Sequence, residues 1–142
     1  MSTSQVDQMI IEHDTEMLSE RLAEVFRKSE VGDVFTPDVF FDLNMPVWRF
    51  QLEGPASFEA FLRELNPDGV ELTTGRATPT ASGFVVEHQD RKIEDGQEVT
   101  SRKLLLCDVR EGRIAAVVVY CSGEWDEELR ARHALEAPMI RP

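Results

Sequence analysis

Apolar residues recur at helical spacing near the start of the chain. Met9, Ile10, His13, Met17, Leu18, Leu22, Val25 and Phe26 form one stripe, while acids and Arg21 fill the other face. This predicts a helix over Val6 to Lys28, broken by Gly32 and Asp33. A second stripe, Phe58, Phe61, Leu62 and Leu65, predicts a shorter helix that starts after Gly54-Pro55-Ala56-Ser57 and stops at Asn66-Pro67-Asp68-Gly69. Between them, Thr36-Pro37-Asp38 turns into a strand, Val39 to Asn44, stopped by Pro46. Trp48 to Leu52 is left open as extended or loop.

The pattern then changes to β-rich runs. Val70 to Thr78 is a Thr-rich strand, followed by strands over Gly83 to Arg91, Val99 to Val109 and Ile114 to Cys121. Glu94-Asp95-Gly96 and Arg110-Glu111-Gly112 join the last three, each placing Gly where the backbone needs φ > 0. A charged helix over Trp125 to Leu135 and an apolar tail, Ala137 to Pro142, close the chain. Strands grouped after helices give an α+β layer solution. The expected fold is a single domain over residues 1–142, a cone-shaped curved antiparallel sheet with helices packed in its concave face. The cone's open end is the expected ligand pocket.

Composition narrows the function classes. At 142 residues one core can form without staples. A net charge of -12 repels nucleic acid and anionic membranes, so neither is an expected partner. The start, Met1-Ser2-Thr3-Ser4-Gln5, has neither a basic cluster nor an apolar run, which predicts no signal peptide and a cytoplasmic protein. Cys107 and Cys121 fall on one hairpin, expected opposite Ala116 and Arg102. At ladder spacing their thiols lie more than about 10 Å apart, so both are expected free. With scattered histidines, neither a metal nor a cofactor is expected.

The element order, with Phe35-Thr36-Pro37-Asp38-Val39-Phe40-Phe41 and the hairpin Arg110-Glu111-Gly112-Arg113-Ile114, resembles the nuclear-transport-factor-2-like superfamily. That cystatin-like group includes SnoaL-like polyketide cyclases, ketosteroid isomerases and limonene epoxide hydrolases. The resemblance spans Val6 to Leu135 and implies a homodimer paired through the outer face of the sheet. Asn44-Met45-Pro46 looks like the Asn-Met-Pro of the epoxide hydrolases, where the Asn positions a water. The Tyr two residues earlier is Asp42 here, and the positions of the hydrolases' charged residues fall at Val86, His88 and Val119. The isomerases' carboxylate base is echoed by Asp42, but their oxyanion donors are missing in their usual form.

Asp42 and Asn44 share strand parity, and facing inward would make Asp42 a general base in an apolar pocket and Asn44 a holder of water or carbonyl. Otherwise Asp42 caps a turn or pairs with an arginine at the strand end. His88 is the expected proton partner and Glu87 its rival for the inward position. A two-residue Asp95-Gly96 loop pairs His88 with Lys103, whereas a bulged turn pairs it with Arg102. Arg102 and Cys121 are expected on a common face, and Trp48 and Trp125 at the cone mouth. The expected activity is cofactor-free isomerisation, cyclisation or dehydration of a hydrophobic carbonyl compound. Ligand binding without chemistry, epoxide hydrolysis by a non-standard set, and protein interaction through the sheet face are the alternatives.

Overall fold

The computed structural model describes residues 2–141; Met1 and Pro142, the outer ends of the expected start and tail, lie outside the described residues. The elements run α1 (Thr3–Lys28), β1 (Phe35–Met45), β2 (Trp48–Glu53), α2 (Pro55–Leu65), β3 (Glu71–Thr74), β4 (Thr78–Pro79), β5 (Gly83–Glu94), β6 (Gln97–Arg110), β7 (Arg113–Cys121) and α3 (Glu127–Glu136). Six strands follow the order β2-β1-β7-β6-β5-β3, with β4 pairing β5 as well. The sheet is curved and unclosed. Its joins are antiparallel except β1 with β7, which run parallel and make the sheet mixed.

The hairpin turns set the register. Asp95 and Gly96 both have positive φ (51° and 76°), as do Glu111 and Gly112 (52° and 79°). Positive φ at both central residues defines the two-residue turn that matches the strand twist. Glu94 therefore faces Gln97, and counting back places His88 opposite Lys103. Between β6 and β7 the register slips between Asp108 and Val109, so Cys107 faces Val117 and Cys121 faces Lys103. The sequence alone predicts Ala116 and Arg102 as their partners. One extra residue in the ladder accounts for the difference.

The core lies between the concave sheet face and the helices. Leu18, Leu22, Val25 and Phe26 of α1 and Phe58 and Leu62 of α2 are buried against Phe41, Leu43, Val86, Leu105 and Val119. Phe41 and Phe58 stack at 4.0 Å between ring centroids. Only the second half of α1 takes part. Met9 and Ile10 are both 54% exposed, because the first turns of this 26-residue helix run beyond the sheet they were expected to cover. No helix among the described residues is long and apolar enough to cross a membrane.

Candidate functional site

Strand parity sorts the polar residues of the sheet onto two faces. On β5, His88, Asp90 and Lys92 point to the concave side; on β6, Val99, Ser101 and Lys103 do so, and on β7, Cys121. A cavity of about 390 Å³ lies over the outer end of this face. Met45, Phe50, Phe61, Leu65, Val70 and Val99 make it largely apolar, and Asp90, Lys92, Lys103 and Cys121 line it too.

Its distinguishing feature is a buried ion pair. Lys103 Nζ donates to Asp90 Oδ2, with the two side chains only 8% and 6% exposed. Asp90 Oδ1 has no hydrogen-bond partner among the described residues. Two charges removed from water demand compensation, and here the pair supplies only part of it. One carboxylate oxygen is left for a ligand, and among the described residues Lys103 makes no hydrogen bond besides the one to Asp90. Beneath the pair, Lys103 Nζ lies 5.1 Å from the centroid of the Phe26 ring.

His88 is 0% exposed and sits edge-on to Phe26 at 5.3 Å between centroids. Neither ring nitrogen has a partner among the described residues. Burial, then the Lys103 and Arg27 charges, push its pKa down to about 3, so the ring is neutral at physiological pH. At the cavity rim, Lys92 Nζ donates to Asn66 Oδ1 and Glu124 Oε1, both at 2.9 Å, and pairs with Glu94 at 2.8 Å. Its three donors are thereby engaged. Among the described residues no group of three or more His, Cys, Asp or Glu side chains converges as a metal site.

The residues singled out from sequence divide between the faces. His88 faces inward and Cys121 lines the cavity. Asp42 does not face the cavity. It lies on the convex side, held by Arg49 through bonds of 2.8 and 2.7 Å that keep its carboxyl below the usual range. Asn44 shares that face, its side-chain nitrogen buried without a hydrogen-bond partner among the described residues. Glu87 and Arg102 also point outward and pair with each other at 2.8 Å, which lowers the Glu87 carboxyl. Arg102 and Cys121 therefore lie on opposite faces.

Trp48 shares the face of Phe50 but is 73% exposed, beyond the cavity edge. Trp125 bridges to the Thr100 backbone and packs on His133 at 4.9 Å, away from the cavity wall. Asp90 and Lys103 were not singled out from sequence. The signal was present: His88-x-Asp90-x-Lys92 alternates, so an inward His88 carries both with it.

No family model matches the sequence, and no curated protein matches it. Solved structures do. An LEH-like epoxide hydrolase from M. tuberculosis superposes with a TM-score of 0.64 at 18% identity, over 90% of this chain and 98% of that one. A candidate SnoaL-like polyketide cyclase from Jannaschia sp. CCS1 gives 0.61 at 20% identity, over 91% and 96%. An NTF2-like protein from Anabaena variabilis gives 0.63 at 20%, over 78% and 90%. At such identities the likeness establishes architecture alone. The chain has the nuclear-transport-factor-2-like α+β fold.

Proposed function

We propose that the protein binds a small apolar carbonyl compound and moves a proton on it without a cofactor, as an enolising isomerase or cyclase does. The observation that carries this is the Asp90–Lys103 pair in the wall of an apolar cavity, with Asp90 Oδ1 unengaged among the described residues. A Lys103 N–H would hold the substrate's carbonyl oxygen while Oδ1 accepts the proton from the adjacent carbon. The ammonium then balances the charge that develops on oxygen in a water-poor site. The role first given to Asp42 passes to Asp90, because Asp42 stands on the far side of the sheet. His88, neutral and buried against Phe26, carries no proton for this step.

The test is exchange of α-protons of cyclic ketones in heavy water, followed by NMR. Wild type and Asp42→Asn should accelerate it, and Asp90→Asn should not. Acceleration that survives Asp90→Asn refutes the assignment. A second reading, binding without turnover, is favoured by the Lys103 hydrogen bond to Asp90 Oδ2, which holds the ammonium on the carboxylate. It predicts ketone-induced shifts in the protein spectrum and no exchange. Epoxide hydrolysis by this non-standard set predicts diol formation from an apolar epoxide, lost in Asp90→Asn.

We propose also that a second copy covers the convex sheet face, where Phe40, Leu104, Leu106 and Tyr120 are exposed beside the Asp42–Arg49 and Glu87–Arg102 pairs. Paired charges around an apolar centre fit a self-complementary contact. Sedimentation should report a dimer for wild type and a monomer for Leu106→Arg; a monomeric wild type refutes it.

A further inference from the structure

The cavity wall holds a second reactive group that the proton-transfer reading does not use. Cys121 ends β7, directly opposite Lys103 across the ladder. Directly paired side chains on one face stand with Cβ atoms about 5 Å apart. The backbone N–H of Gly123 donates to Cys121 Sγ at 3.3 Å, which fixes the sulfur at the cavity wall. The other thiol is a built-in contrast. Cys107 is buried in the core, and burial together with the Asp108 charge pushes its pKa far up, so it is inert.

A thiol alone marks no ligand. Here it shares the cavity with the buried carboxylate of Asp90, whose Oδ1 has no hydrogen-bond partner among the described residues, and with the Lys103 ammonium. The charged groups lining the cavity with it are Asp90, Lys92, Lys103 and Glu124. Lys92 and Glu124 bind each other at 2.9 Å, which leaves Lys103 as the donor open to a carbonyl oxygen.

We propose that the pocket captures α,β-unsaturated carbonyl compounds by addition of the Cys121 thiol. Lys103 binds the carbonyl oxygen and draws electron density from the double bond. Sγ attacks the β-carbon and forms a C–S bond. The π pair moves onto oxygen as an enolate beside the ammonium, and the α-carbon then takes a proton equivalent to the one the thiol released. The adduct is the sum of protein and ligand, with nothing oxidised or reduced. This rests on the carbonyl-binding reading above and narrows its ligand class.

The test uses the folded full-length chain with cyclohexenone, read by intact mass and peptide mapping, and cyclohexanone as a saturated probe followed by NMR. A single adduct is expected on Cys121, absent in Cys121→Ser. It should form about tenfold or more faster than on the thiols of the urea-unfolded chain. Lys103→Met should remove that advantage and Lys103→Arg retain it. If Lys103→Met fails to fold, the comparison of folded with unfolded wild type decides. Labelling no faster than in the unfolded chain, labelling of Cys107, or a rate unchanged in folded Lys103→Met overturns the proposal. Cyclohexanone binding without an enone adduct sinks this inference alone. Absence of both sinks the carbonyl-binding reading with it.

Discussion

Replacing His88 by leucine separates the cost of a buried imidazole from everything else that titrates in this acidic chain. The ring is 0% exposed, and its pKa falls from 6.5 to about 3, chiefly through burial and further through Lys103 and Arg27. Between those values the unfolded chain binds a proton that the native state refuses. Stability therefore falls as pH falls through that window. The full difference corresponds to about 5 kcal/mol, and acidifying from about pH 7 to about pH 5 should remove ~2 kcal/mol of it.

Carboxylates lowered by arginine partners, such as Asp42 and Glu87, also lose their contribution as pH falls, since their folded values lie below their unfolded ones. They are present in both proteins and cancel in the difference. Urea unfolding followed by circular dichroism at the two pH values supplies the comparison. The His88→Leu protein should match or exceed wild type at neutral pH, because it buries no unpartnered nitrogen. It should also lose ~2 kcal/mol less on acidification. Equal losses in the two proteins refute the reasoning.

Breaking the buried pair with Asp90→Asn should cost about 3–5 kcal/mol, while Asp90→Leu with Lys103→Met should recover most of it, as urea midpoints would show. Along α1, exchanging the exposed Met9 and Ile10 for glutamate should change stability by less than about 0.5 kcal/mol. Leu22→Ala, at a fully buried position of the same helix, should cost about 3 kcal/mol.

How much of the fold is legible in the sequence depends on the range of the interactions involved. The hairpins β5–β6 and β6–β7 were legible because Asp95-Gly96 and Glu111-Gly112 carry their turn geometry locally. The helical stripe of α1 was legible, but where its burial stops was not. Met9 and Leu22 look alike in a periodic pattern, and only the finite width of the sheet distinguishes them. The parallel join of β1 to β7 was likewise hidden, since it brings together residues such as Asp42 and Val118 that are far apart in sequence.

The candidate site shows the same division more sharply. Local sequence determined the α+β class, the turn chemistry and the alternation that ties His88, Asp90 and Lys92 to one face, because these depend on neighbours a few residues away. Only the tertiary structure decided which face is concave. That choice took Asp42 and Asn44 away from the cavity, brought Lys103 onto Asp90, and turned Cys121 toward Lys103 through the slip at Asp108. The physical reason is the two-residue period of a strand: one residue of register or one choice of buried face exchanges every side chain between core and solvent. That choice is settled by the apolar area the helices cover, which no single strand encodes.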